Sequence, residues 1–403
     1  MPVERARRVL MLGTFGLRPK ATLRARALAM ARSLPADAWT FNLITTPWDC
    51  RDDAGKRWCE YGVSIHNTRT ISPTAAPLVT LETMREVRKL RPDIIHLFKP
   101  KGFGDISARA LRQKLPVVVD MDDWEGDGGW NEIGGYSGIQ RRLFDWQERT
   151  WPRQAAALTV ASRELERRAL DLGANRQRVH YVPNGLTRAR CSQLASLKRR
   201  PRGEVDRPPT ILLYTRFVEF EPEFIVRVLV DVRKAIPDAI VRIAGASADG
   251  RAEIVLRESA RDAGVAGAID LRGWVGPDDI PELAAVCDLA IHPFDDSLVN
   301  RSKCSVKLLE LMATGIPIVT TAVGENASFI EDGASGRLTP PGEPSAMANA
   351  IVELMRHPAH AELLGRAAHE RVNAHYLWEQ LAPRVAAAYR QALDERANRS
   401  PNH

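Results

Sequence analysis

The chain has 403 residues, 44% hydrophobic and 27% charged, a globular composition that excludes a disordered polymer. No apolar run approaches the ~18 residues that cross a bilayer, so no membrane-spanning helix is expected. The net charge of +7 is unevenly divided: residues 1–200 carry 35 Lys and Arg against 21 Asp and Glu, and residues 201–403 carry 22 against 29.

Apolar residues following the charged N-terminus read as a first buried strand rather than a leader. In the front half, short β-rich runs fall at 8–13, 41–46, 94–98, 117–121, 158–161 and 179–183. Helix-period stretches at 22–34 and 81–90 lie between them. The back half repeats the pattern with strands at 210–214, 239–244, 269–271, 289–292 and 316–320, and helices at 223–235 and 307–313. Strands alternating with helices predict parallel sheets covered on both faces. Residues 188–209 are rich in Arg and Ser, end in RPRGEVDRPP and read as an exposed joining segment. The expected division is a first domain at 1–190, a linker at 191–209, a second domain at 210–375 and a closing helix at 376–396. Two such domains would enclose a cleft, with ligands outside the carboxyl ends of the strands.

Cys50, Cys59, Cys191, Cys287 and Cys304 are odd in number and form no CxxC pair, so neither a disulfide framework nor a zinc site is expected. A reducing cytoplasm is the expected location. The basic front half suggests peripheral contact with the anionic inner face of a membrane. No nucleic-acid motif accompanies the charge, and no HExxH or G-x-S-x-G appears.

The most informative segment is SVKLLELMATGIPIVTTAVGENASFIEDGASGRLTPP, residues 305–341. Ser305 can cap a helix in which Lys307 and Glu310 share a face. A helix N-terminus at a cleft offers backbone N–H groups to phosphate, and a carboxylate farther in can accept from ribose hydroxyls. This segment, with Glu310, Gly315, Pro317, Gly324, Gly333 and Gly336, resembles the donor region of group 1 (family 4) retaining glycosyltransferases. RPDIIHLF, VASRELERRALDLGANRQRVHYVPNGL, LRGWVGPDDIPELAAVCDLAIHPF, Trp378 and Tyr389 extend the resemblance over most of the chain.

The resemblance implies an α/β GT-B fold, two Rossmann-like doubly wound domains facing a central cleft. It implies transfer of a sugar from a nucleoside-diphosphate donor to a glycan, lipid-linked or small-molecule acceptor, with no cofactor and no bound metal. By position it assigns Glu310, Ser305, Val306, Gly273, Val275 and Gly324 to the donor. Arg216, with Lys303 or Lys307, is expected to compensate the diphosphate. In DMDDWEGDGGW, Asp122 is expected to approach the transferred sugar, with Trp124 and Trp130 available for stacking. The loop containing Gly16, Arg18 and Lys20 is expected near the sugar and acceptor. Departures from the family pattern are Glu221 in place of a lysine, Ser302 in place of a glutamate, and Asp122-Asp123 in place of His-Asp. They favour an alternative reading, a catalytically weak scaffold or partner subunit.

Overall fold

The computed structural model describes residues 5–18, 22–72, 75–197 and 207–399. The chain forms two compact units. The first takes the described residues through Gly185, then Ser302–Cys304 and the chain from Trp378 onward; the second takes Leu186–Arg301 and Ser305–Leu377.

The first unit is built on β1 (Arg7–Gly13), β2 (Trp39–Thr45), β3 (Arg57–Glu60), β4 (Val63–Asn67), β5 (Ile94–Phe98), β6 (Val117–Met121), β7 (Ala157–Val160) and β8 (Val179–Tyr181). Their order is β3-β4-β2-β1-β5-β6-β7-β8. The central strands pair in parallel, Met11 lying opposite both Leu43 and His96. β5 and β6 are buried along their whole length, mainly apolar but for His96 and Asp120, whose side chains are hydrogen-bonded inside. The predicted elements omit β3 and β4, an antiparallel edge hairpin that is only half buried and so carries no continuous apolar run. Its two-residue turn places Tyr61 at φ 53° and Gly62 at φ 79°, the left-handed pair that a tight hairpin requires.

The helix expected at 22–34 contains a π-helical turn, Arg24–Leu28, that directs Arg26 into the interior. The opposite end of the chain completes this unit. Trp378–Arg399 is a single helix, and its Tyr389 hydroxyl shares a 2.8 Å hydrogen bond with His96 Nδ1. Burial pushes the His96 pKa down to about 4, so the imidazole is neutral in this contact.

The second unit has β9 (Thr210–Tyr214), β10 (Ile240–Ala244), β11 (Ile269–Gly273), β12 (Leu289–His292), β13 (Ile318–Thr321) and β14 (Arg337–Thr339). All are parallel, in the order β11-β10-β9-β12-β13-β14. The order reverses between β9 and β12, which makes the carboxyl end of β9 the topological switch point of the sheet.

The segment read as an exposed linker starts otherwise. Thr187 caps a helix, Arg188–Leu194, whose Cys191 and Leu194 are buried. These two apolar residues stand three apart and share the inward face. Residues 198–206 lie outside the described residues.

Candidate functional site

In the second unit the expected donor residues lie at or just past the carboxyl ends of several strands. Arg216 lies two residues past β9, Gly273 ends β11, and Gly324 lies three residues past β13. Two glycines allow the backbone to close up there. A Cβ at Gly245, just past β10, would stand 1.7 Å from the Thr215 carbonyl oxygen, and one at Gly324 would stand 2.6 Å from that of Arg301. The Gly245 N–H donates to the Gly273 carbonyl at 2.7 Å, tying the ends of two strands together.

After β12 the chain enters the helix Val306–Ala313. Ser305 caps it by accepting from the Leu308 N–H, and His292 Nε2 lies 3.0 Å from the same hydroxyl. Val306 is the first helical residue. Glu310 lies more than a turn inside and is 8% exposed. Arg190 donates to Glu310 Oε1 from Nε at 3.0 Å and from Nη2 at 2.7 Å. Burial pushes the Glu310 pKa up, while Arg190 and then Lys307 pull against it. Arg190 Nη2 also donates to the Pro277 carbonyl at 2.8 Å, two residues beyond Val275.

Tyr214, at the end of β9, is the centre of the group. Lys307 Nζ lies 4.6 Å from its ring centroid. Its pKa is pushed up to about 12, first by burial and then by Glu310, against Arg190 and Arg216. Lys307 therefore lies against one phenol at the switch point, and the charges of Glu310 and Arg216 act on the same group. Arg216 is exposed and makes no ion pair with the described residues. Glu221 is exposed at the head of the helix Pro222–Ala235 and contributes no cation.

Ser302–Cys304 belong to the first unit, where Lys303 Nζ lies 5.8 Å from the Trp130 ring centroid. The Asn184 N–H donates to Cys304 Sγ at 3.1 Å. Ser302 is wholly buried, and its hydroxyl has no hydrogen-bond partner.

The acidic loop after β6 folds over two lysines. Lys99 Nζ is 2.7 Å from Asp123, 2.9 Å from Glu125 and 3.4 Å from Asp122 Oδ1. Lys101 Nζ lies 2.7 Å from Glu125 and donates to the Tyr136 hydroxyl at 3.1 Å. Burial raises the Glu125 pKa, but Lys99 and Lys101 outweigh it and hold the carboxyl at about 2. Asp122 is pushed the other way, to about 7, by burial with Lys99 opposing and Asp123 adding to the rise. Glu148, fully buried with neither oxygen hydrogen-bonded, is raised well above its ordinary range by burial and then by Glu125.

A carboxyl raised on folding stabilises the fold while protonated. The Asp122 contribution is complete below its unfolded pKa near 4 and is lost as pH rises through about 7. Asp122→Asn should therefore flatten the decline in melting temperature between about pH 4 and 7. An unchanged decline in thermal melts across that range would contradict this.

Trp124 corrects one expectation. It is 2% exposed, its Nε1 donates to the Asp127 carbonyl at 2.9 Å, and Arg168 covers its ring, so it serves the core and not sugar stacking. Trp130 is half-buried. Gly16 donates its N–H to Asp49 at 3.0 Å, which removes that group from any anion site. Arg18 pairs with Asp53, and Lys20 lies outside the described residues. Arg190, Tyr214, Lys99 and Glu148 are absent from the expected set. Arg190 is one of many arginines near the joining segment, and the others carry no motif.

Residues 22–185 match the family model of the glycosyl transferase 4-like domain, and residues 208–357 match that of glycosyl transferases group 1. A glycogen synthase of Mycobacterium tuberculosis (strain ATCC 25618 / H37Rv) is 25% identical over 317 residues, 78% of this chain and 72% of the relative. A GDP-mannose-dependent alpha-(1-6)-phosphatidylinositol monomannoside mannosyltransferase of the same strain is 24% identical over 263 residues, 64% of this chain and 66% of the relative. Among solved structures, sucrose-phosphate synthase from Thermosynechococcus elongatus superposes with a TM-score of 0.71 at 18% identity, over 96% of this chain and all of that one. Anabaena Alr3699/HepE in complex with UDP-glucose superposes with a TM-score of 0.68 at 16% identity, over 95% of this chain and 99% of that one. These two superpositions carry the fold. With matching models on both halves and this two-unit architecture, the chain belongs to the group 1, family 4 glycosyltransferases of the GT-B fold.

Proposed function

We propose that the protein is a retaining glycosyltransferase acting on a nucleoside-diphosphate sugar, with the acceptor taken by the first unit. The observation that carries this reading is that Lys307 lies against Tyr214 at the switch point, where the charges of Glu310 and Arg216 also act. The relative named for GDP-mannose and the neighbour solved with UDP-glucose support a donor of this class. In this reading Glu310 accepts from the ribose hydroxyls. Arg216 and Lys307 meet the diphosphate, where charge grows as the bond from the anomeric carbon to the phosphate oxygen breaks. The acceptor oxygen bonds to that carbon on the same face, and its proton passes to the leaving phosphate oxygen. The side chains orient the reactants and compensate charge, so no carboxylate nucleophile is needed.

Thermal stabilisation by UDP-, GDP- and ADP-sugars identifies the donor, since a ligand bound to the native state raises its melting temperature. With that donor, Arg216→Ala should lower turnover about tenfold while nucleoside affinity stays unchanged, because the arginine acts mainly on charge formed in the transition state. Turnover equal to wild type would remove Arg216 from the site.

A further inference from the structure

On one face of the first unit's sheet, beside the helix Arg163–Asp171 that follows β7, lie three helices: Ala76–Leu90, Gly102–Leu111 and Gly138–Gln154. They connect β4 to β5, β5 to β6 and β6 to β7, each crossover running in the same direction across the sheet, so right-handed connections put all three on one side. The first packs on the second, and Arg109 of the second donates to Thr150 and Gln154 of the third.

Their outward faces share an unusual composition. Leu78 and Leu81 are 58% and 51% exposed, and Arg85 and Arg88 continue the same helical stripe. On the third helix Ile139, Leu143 and Trp146, spaced at i, i+4 and i+7, are 83%, 38% and 49% exposed. Arg142, Arg149 and Arg153 are exposed along the flank of that stripe. Arg112 and Lys114, just past the second helix, are exposed as well. Among the described residues of these three helices, no Asp or Glu is exposed. Glu82 accepts from the Arg69 N–H, Glu86 holds Arg57, Asp105 holds Arg109, Asp145 accepts from the Asp127 N–H, and Glu148 is buried.

We propose that this helical layer docks on an anionic lipid bilayer, its leucine, isoleucine and tryptophan side chains entering the headgroup–acyl boundary and its arginines meeting lipid phosphates. Both halves of the composition are needed for that surface. A nucleic acid would use the cations and leave Ile139 in water. A second copy would bring two cationic faces together. A bilayer takes the apolar stripes and the charge at once, and Trp146 suits the interface, where an aromatic ring is favoured. No helix among the described residues is long and apolar enough to cross a membrane, so the contact is peripheral.

The test is co-sedimentation of the full chain with vesicles of mixed phosphatidylglycerol and phosphatidylcholine, and of phosphatidylcholine alone. The protein should bind the first, weaken as salt rises, and bind the second far less. Arg85→Gln with Arg142→Gln should cost roughly thirtyfold in partition, at about fivefold per surface cation. Ile139→Gln with Leu143→Gln should also weaken vesicle binding. Arg257→Gln with Arg261→Gln, which removes the same charge from an exposed helix of the second unit, should leave it unchanged. All these side chains are at the surface, and thermal melts check that each variant folds. Equal binding to both vesicle types, or to neither, overturns the proposal. So does an equal loss in the second-unit control. If the apolar pair leaves vesicle binding intact while random-sequence RNA displaces the protein, a polyanion is the partner and the proposal fails. If that pair converts a dimer to a monomer without touching vesicle binding, the face belongs to a second copy and the proposal fails.

Discussion

Arg26→Met should destabilise the first unit by about 3–5 kcal/mol, the cost of stripping a buried charge of its partner. Arg26 is 1% exposed and Asp120 is wholly buried. Arg26 Nε and Nη2 reach the two Asp120 oxygens at 2.6 and 2.7 Å, and Nη2 also donates to the Val182 carbonyl at 2.9 Å. Nη1 donates to the Asn184 side chain at 3.0 Å, and Thr159 donates to Asp120 Oδ1 at 2.5 Å. Burial works against the Arg26 charge, but Asp120 outweighs it and holds the guanidinium pKa above its usual value. Removing the guanidinium leaves a carboxylate with one hydroxyl donor in a dry site. In a unit of this size the loss corresponds to roughly 6–20 °C in melting temperature. Arg26→Met with Asp120→Leu removes both charges and should recover much of the loss. Urea unfolding of the three proteins decides the matter. A single variant within about 1 kcal/mol of wild type would show that the pair is not desolvated as its burial indicates.

Arg190→Ala should weaken nucleoside binding by up to about 3 kcal/mol, and by more at low pH than at high pH. Arg190 is a positioning residue in the proposed reading: it grips Oε1 of Glu310 and leaves Oε2 for a ribose hydroxyl. Glu310 is faced by Arg190 and Lys307 as cations, by Asp278 and by Tyr214. Without Arg190, burial is opposed chiefly by Lys307, so the Glu310 pKa rises further and the carboxyl protonates at higher pH. The protonated form offers a poorer acceptor set, so affinity should fall as pH falls. Glu310→Gln, which does not titrate, should weaken binding by roughly 1–3 kcal/mol and show no such slope. Calorimetry with free nucleoside across a series of pH values separates the cases. A flat profile for Arg190→Ala at wild-type affinity would remove Arg190 from this role. An unaffected Glu310→Gln would remove the ribose assignment itself.

What the residues reveal unaided depends on burial. The runs at 94–98, 117–121, 210–214 and 289–292 coincide with β5, β6, β9 and β12, because strands covered on both faces are mostly apolar. The hairpin of β3 and β4 escapes that criterion because each strand is only half covered. Among candidate site residues, Glu310 and Arg216 are legible as candidates because a helix cap and a strand end fix their places in the chain. Arg190 is found only in three dimensions, since Glu310 lies 120 residues away and no spacing relates the two. Trp124 shows the converse: a tryptophan among acids and glycines suggests a ligand platform, yet its neighbours Gly126 and Gly129 let the loop close onto the ring.

The final helix has a consequence for the order in which this protein comes off the ribosome. Leu381, Val385 and Tyr389 share one apolar cluster with Leu28, Trp39 and Phe98, so the first unit lacks part of its interior until the helix Trp378–Arg399 is translated. The second unit has almost all of its sequence in one continuous stretch and can fold while the first is still waiting. A nascent chain stalled, or an expression product cut, at Gly185 carries that apolar face bare. Of these two units, the one begun first is thus the one completed last, and chaperones have the longer time to hold it.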